Sequence, residues 1–110
     1  MGYNEYLNVL KEHGIPRLER LDREVAITKE YALLSIQMLE DTDITILGGD
    51  VCSLESDGYL RPTYDNWSYA GNNKDESHKK AYEYISSYHE KESLDIRYIL
   101  VLKSDEVYEY

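Results

Sequence analysis

The chain has 110 residues, of which 12 are basic and 22 acidic, so its formal net charge is −10, and it contains one cysteine. We predict a single acidic domain over residues 1–110, because a chain of this length can bury roughly 60 to 70% of its unfolded surface. One cysteine excludes an internal disulfide. No apolar run is long enough for a signal sequence or a membrane span, so we expect a cytoplasmic protein.

The N-terminal residues predict a short amphipathic helix. Apolar side chains recur there at helical spacing, at Tyr3, Tyr6, Leu7 and Leu10. Gly14 followed by Pro16 is typical of a helix end, because glycine closes the last turn and proline cannot continue it. For residues 18–24 the pattern favours neither a further helical turn nor a loop.

A second helix is predicted after Thr28, which stands where an N-cap belongs. Its apolar stripe consists of Ala32, Leu33, Ile36 and Leu39. Leu34 and Met38 widen this stripe, so we expect the helix to be mostly buried. The acidic residues that follow, Glu40 and Asp41 among them, are unfavourable at a helix C-terminus by a few tenths of a kcal/mol each.

Residues 44–67 predict two or three short antiparallel strands. The apolar positions that mark them are Ile44, Ile46, Val51 and Leu54. The pair Gly48-Gly49 marks a place where the backbone bends or is approached closely, and Asp57-Gly58 is a strong hairpin turn signal. Pro62 marks the exit from this hairpin.

One more helix and one more strand complete the predicted fold. Asp75 is the expected N-cap of the helix, and its apolar face consists of Ala81, Ile85 and Tyr88. The segment Ile96–Leu102 reads as a buried strand, and residues 103–110 form either an edge strand or a frayed tail. This order predicts an α+β fold with a small, mainly antiparallel sheet covered on one face by two or three helices. The other face would then be partly open, with hairpin side chains such as Asp50, Ser53, Glu55 or their neighbours pointing outward in a register that the pattern does not fix.

The acidic excess is concentrated in residues 40–76, which contain nine acidic residues and two basic ones, a net charge of −7. Such a field repels nucleic acid and anionic membranes, whereas it attracts and steers basic proteins. The alternative interpretation is that the acidic surface only keeps the protein soluble.

The aromatic composition is also uneven, with twelve tyrosines, one tryptophan and no phenylalanine. The segment Tyr64-Asp65-Asn66-Trp67 has two interpretations. In one, Asp65 or Asn66 caps a turn while Trp67 and Tyr64 pack on the sheet. In the other, Tyr64 and Trp67 anchor a binding surface and Asp65 pairs with an arginine or lysine of a partner.

Catalytic and metal sites receive less support. The three histidines, His13, His78 and His89, lack the spacing of helix-borne metal ligands, so no metal or cofactor is predicted. Cys52 with a distant histidine could form a nucleophile and base, but no basic neighbour lowers its pKa. Asp50 paired with Asp65 could serve acid/base chemistry, and carboxylates are too common here for that pairing to be specific.

Two motifs resemble a known family. The segment Ile-Leu-Gly-Gly-Asp-Val at 46–51 and the segment Tyr-Asp-Asn-Trp at 64–67 resemble immunity protein family 40 of bacterial polymorphic toxin systems. The similarity extends from about Val25 to the predicted helix around Ile85. Cys52 and Ser68 depart from the pattern, which favours aromatic residues there. The resemblance implies a small cytoplasmic protein that neutralises a cognate toxin domain.

The combined prediction is a non-enzymatic immunity protein that binds and blocks a toxin domain with a basic surface, such as a nuclease. Its predicted contact residues are Asp50, Glu55, Asp57, Tyr59, Tyr64, Asp65, Trp67 and Tyr69. Two alternatives remain open at this stage. One is a small hydrolase-like enzyme that uses Asp50 and Asp65 or Cys52, and the other is a protein-interaction module without a toxin partner.

Overall fold

A computed structural model describes residues 2–16 and 25–103 of the chain. Its elements in chain order are α1 (Gly2–His13), β1 (Ile15–Pro16), β2 (Val25–Ala26), α2 (Lys29–Leu39), β3 (Ile46–Leu54), β4 (Leu60–Ser68), α3 (Lys74–Ser87) and β5 (Ile96–Leu102). The predictions for residues 18–24 and 104–110 lie outside the described residues. None of the helices within the described ranges is long and apolar enough to cross a membrane.

Three antiparallel strands form the main sheet, in the order β4-β3-β5, and β1 pairs with β2 in a separate two-stranded ribbon. At the far edge of β5, Ile27, which follows β2, forms an antiparallel bridge with Tyr98. The Ile27 amide donates to the Tyr98 carbonyl at 2.9 Å, and the Tyr98 amide donates to the Ile27 carbonyl at 2.7 Å. The opposite edge, formed by β4, pairs only with β3 among the described strands.

Helices α2 and α3 pack on one face of the sheet, and α1 packs on α2. Their apolar stripes meet the inward-facing residues of the strands to form one core, which removes apolar area from water. The fully buried members of this core include Ile27, Ile36, Leu39, Ile46, Ile85 and Tyr98. The predicted α+β fold, with helices over one face of an antiparallel sheet, is confirmed.

The other sheet face is covered along β3 and β5. Because successive side chains alternate between faces, Cys52 and Ile99 point away from the core around Val51 and Tyr98. They form a second buried cluster with Ala26, against which Leu60 packs. The expectation that Ser53 points outward was wrong. Ser53 is buried, and its hydroxyl donates to Glu55 Oε2 at 2.9 Å.

Local signals predicted several elements correctly. Helix α1 ends before Gly14, whose amide donates to the Leu10 carbonyl at 2.9 Å, and the strand Ile96–Leu102 has the predicted limits. The hairpin turn lies at Asp57-Gly58, where Gly58 has φ = 90°. In this left-handed region glycine has no steric penalty.

Two helix details differ from the prediction. The N-cap of α3 is Asn73, two residues before Asp75, because the Asn73 side chain accepts a hydrogen bond from the Glu76 amide at 3.0 Å. That bond satisfies one of the amides that lack a partner in the first helical turn. In α2, Leu34 is 38% exposed and does not join the apolar stripe, although most residues of this helix are buried or half-buried as predicted.

The glycine pair in β3 allows a close approach by Trp67. A Cβ atom at Gly49 would lie 2.2 Å from Trp67 Cη2, and one at Gly48 would lie 2.2 Å from the Trp67 carbonyl oxygen. A side chain at Gly48 would therefore displace the β4 backbone, and one at Gly49 would displace the Trp67 ring or the β5 backbone at Ile99. This confirms the expectation of a close backbone approach.

Candidate partner-binding surface

Strand β4 differs from the other strands of the sheet because it is mostly exposed on both faces. Of its nine residues only Trp67 is buried, and six are exposed. We call this strand, Leu60–Ser68, the open edge. Aromatic and acidic side chains on it, and on the turn that precedes it, are accessible to a partner.

The open edge contains a bulge in its middle. Asp50 pairs with Asn66 and Cys52 pairs with Pro62, so one residue of β3 faces three residues of β4. The extra length is accommodated at residues 63–65, which we call the bulge. A bulge bends its strand and redirects side chains relative to the regular pleat.

Tyr64 lies at the centre of the bulge and has φ = 72°, which makes it the one non-glycine residue with positive φ in the described ranges. Its side chain is 85% exposed, more than any other large apolar residue described. A bulky residue in the left-handed region raises the free energy of the fold by about 1 to 3 kcal/mol. An unfavourable backbone conformation therefore presents an aromatic ring to solvent.

Thr63 fixes the bulge to the centre of the sheet. Its hydroxyl donates to the Val51 carbonyl at 2.8 Å and accepts a hydrogen bond from the Asp65 amide at 3.1 Å. The hydroxyl thus replaces backbone bonds that a regular ladder would make at this point.

Tyr88, which follows α3, holds the bulge from the helix-covered side. Its hydroxyl donates to Asp65 Oδ2 at 2.6 Å. Burial, followed by this hydrogen bond to a carboxylate, raises the pKa of Tyr88 to about 12, because both disfavour the phenolate form. The bond joins residues that are 23 positions apart, so it couples the bulge to the helical layer.

A row of aromatic rings continues from this contact into the core. Tyr84 stacks on Trp67 with ring centroids 4.8 Å apart and lies 5.9 Å from Tyr88. Tyr88 in turn meets Tyr98 edge to face at 6.0 Å, and the Tyr98 hydroxyl donates to Glu90 Oε2 at 2.6 Å. Burial is the main cause that raises the pKa of both Tyr84 and Tyr98. These rings give the open edge a rigid support.

The tip of the β3–β4 hairpin carries three of the predicted contact residues. Tyr59 is 74% exposed, and its amide donates to Asp57 Oδ1 at 3.0 Å. Glu55 Oε2 accepts the Ser53 hydroxyl and lies 3.8 Å from Arg61 Nε. The tip therefore presents one aromatic ring and two carboxylates, with one guanidinium nearby.

Three other predicted residues meet at the bulge. Asp50, Tyr64 and Asp65 line a shallow recess of about 180 Å³ together with Pro62 and Asn66. Asp50 reaches this recess from β3, because it pairs with Asn66 across the hairpin. Carboxylates on both sides of an exposed ring form a surface that suits a partner with cationic side chains.

The last two predicted contact residues, Trp67 and Tyr69, make their main contacts within the chain. Trp67 is 6% exposed and packs over Gly49, so its ring offers little area to a partner. The Tyr69 hydroxyl donates to Glu76 Oε1 at 2.9 Å and accepts from the Asn73 amide at 3.0 Å. Tyr69 therefore orders the loop between β4 and α3.

Sequence reasoning missed Thr63 as a supporting residue and placed Tyr88 only on an apolar helix face. A threonine within a strand pattern carries no local signal of a bulge, because its partner Val51 is 12 residues away. Tyr88 lies beyond the end of α3 at its C-cap, where its ring reaches Asp65.

Of the residues considered for catalysis, Asp50, Cys52 and Asp65 border the same recess, whereas His13 and His78 lie elsewhere. Cys52 is 1% exposed within the second cluster, so substrate would not reach its thiol. His13 stacks on Tyr31, while buried His78 places its Nε2 at 2.8 Å from the Ile44 carbonyl oxygen. Across residues 2–16 and 25–103, no group of three or more His, Cys, Asp or Glu side chains could hold a metal ion.

Comparison with known proteins gives a family match. The family described as Immunity protein 40 matches residues 9–102, which include every described strand, helices α2 and α3, and the end of α1. No curated protein and no solved structure matches the chain.

Proposed function

The chain belongs to the immunity protein 40 family, and from this premise we propose that it binds a cognate toxin domain through the open edge and the hairpin tip. Membership in the family supports an immunity role for the protein. The proposed contact residues are Asp50, Glu55, Asp57, Tyr59, Tyr64 and Asp65. Trp67 and Tyr69 contribute by ordering the strand and the loop beneath them.

One observation carries this choice of surface. Tyr59 and Tyr64, the two most exposed large apolar residues in the described ranges, both lie on or beside the open edge, each next to carboxylates. Exposed aromatic residues surrounded by polar ones are typical of protein interfaces, because their rings contribute large contact area with few rotatable bonds. In β3 and β5, by contrast, helices cover one face, and Cys52 and Ile99 are buried on the other.

The proposed mechanism is steric blockade without turnover. The immunity protein occludes the active or substrate-binding surface of the toxin, and its acidic residues speed the encounter. A nuclease toxin binds phosphates with a basic surface, so an acidic inhibitor would match that same surface. This mechanism requires no cofactor and no reactive group in the immunity protein.

The test is co-expression of this chain with the toxin domain encoded beside its gene. We expect growth to be rescued and the two chains to copurify, with a complex that weakens as salt rises because the charges are screened. Absence of both rescue and complex would contradict the proposal.

Charge reversal then tests the surface itself. Asp50, Asp57 and Asp65 changed together to lysine should weaken binding at least tenfold while the chain remains folded. The matched control reverses Glu12, Asp41 and Glu83, which are exposed on the helices and the α2 end. Both triple variants change the net charge equally, so equal losses of affinity would show that only the overall charge matters.

A further inference from the structure

We propose that Tyr64 is the principal anchor of the toxin contact, with its ring inserted into a recess of the toxin whose rim carries arginine or lysine. This inference rests on the proposed immunity function and specifies which residue dominates the interface. Such anchors typically carry most of the binding energy and are enriched in tyrosine.

The conformation of Tyr64 is unfavourable for folding alone. Its φ of 72° is strained for a residue with a large side chain, and its ring is 85% exposed, so burial within the chain recovers little of that free energy. Asparagine or glycine would adopt the same backbone angles with less strain. A tyrosine here therefore serves a role outside the folded chain.

The bulge fixes the backbone that carries the Tyr64 ring before any partner arrives. Thr63 ties it to Val51 in the central strand, and Tyr88 ties Asp65 to the helical layer. A side chain on a fixed backbone loses less conformational entropy on binding than one on a loose loop. The backbone beneath the exposed ring is thus preorganised for insertion.

The same bulge disfavours recognition through the backbone. Pro62 lacks an amide proton, and the three residues opposite one residue of β3 interrupt the regular spacing of the strand. A partner strand added to the open edge would lose its register there. Recognition therefore proceeds through side chains, and Tyr64 is the most exposed large apolar residue among them.

Charge complementarity indicates which residues line the rim of the toxin recess that receives the ring. Asp50 and Asp65 lie beside Tyr64 at the same shallow depression. When the ring enters a recess, these carboxylates meet its rim, where arginine or lysine would pair with them or lie over the ring face. A neutral or acidic rim would offer these carboxylates no cationic group.

The experiment measures stability and toxin affinity for three variants, Tyr64→Asn, Tyr64→Gly and Tyr64→Phe. For Tyr64→Asn we expect at least tenfold weaker binding of the toxin domain encoded beside the gene, with a denaturation midpoint equal to or above that of the wild type. Tyr64→Gly should weaken binding similarly. Tyr64→Phe keeps the ring and should bind within about threefold of the wild type.

Tyr82→Ala is the control, because Tyr82 is a partly exposed tyrosine on α3, next to the end of α2, and outside the proposed surface. Its affinity should be unchanged. Wild-type affinity in Tyr64→Asn, or a parallel loss of stability and affinity in that variant, would overturn the anchor role. If the wild-type chain itself does not bind the toxin domain, the proposed function fails and the anchor role fails with it.

Discussion

The two edges of the main sheet are built in opposite ways. At the β5 edge, Ile27 forms two backbone hydrogen bonds with Tyr98, and both side chains are fully buried. At the β4 edge, one residue of nine is buried and the middle of the strand bulges outward. An exposed strand edge invites unwanted pairing, so a regular edge is usually covered or interrupted. This protein covers one edge and interrupts the other.

The same chemical bond occurs near each edge in a different setting. The Tyr98 hydroxyl donates to Glu90 and the Tyr88 hydroxyl donates to Asp65, each at 2.6 Å. Tyr98 is fully buried, whereas Tyr88 is half-buried and Asp65 is exposed. Contacts at the β5 edge therefore mainly stabilise the fold, whereas contacts at the open edge mainly orient the surface residues.

The largest expected contrast between the edges comes from truncating one residue at each. Ile27→Ala removes a fully buried side chain and should lower the free energy of unfolding by about 2 to 5 kcal/mol, because it leaves a cavity. Tyr59→Ala, beside the open edge, should change it by less than about 0.5 kcal/mol. Urea denaturation measures both values, and comparable losses would show that the open edge is also structural.

A smaller contrast is expected from the two tyrosine–carboxylate bonds. Tyr98→Phe should lower the free energy of unfolding by about 1.5 to 3 kcal/mol, because it removes a hydrogen bond to a charged group from a buried site. Tyr88→Phe should lower it by less than about 1 kcal/mol, since water can replace the lost donor at exposed Asp65. A loss for Tyr88→Phe as large as that for Tyr98→Phe would contradict this assignment.

A pH dependence is also expected at the open edge. The pKa of Tyr88 is raised to about 12 from the usual 10, so the folded state favours the protonated phenol. Its stabilising contribution is fully present below pH 10 and is lost as the pH rises from about 10 to 12. Asp65→Asn should lower this pKa, though burial keeps it above 10, as measured by ¹³C NMR of the tyrosine Cζ atoms. An unchanged pKa in Asp65→Asn would exclude a contribution from the carboxylate.

Local signals in the sequence determined the elements that depend on near neighbours. Helical spacing and the Gly14 stop specified α1, a continuous apolar run specified Ile96–Leu102, and Asp57-Gly58 specified the hairpin turn. Propensity, capping and turn chemistry act between residues that are close in the chain. Their effects can therefore be predicted from the sequence alone. Of the predicted contact residues, the exposed positions of Tyr59 and Tyr64 also agree with the local pattern.

Only the tertiary structure decided how the open edge is arranged. The bulge depends on how β3 and β4 align, and the orientation of Asp65 depends on Tyr88, which is 23 residues away. The burial of Trp67 likewise depends on the space left by Gly49 on the neighbouring strand. Strand register and long-range side-chain contacts result from how the whole core packs, and a local pattern does not contain that information.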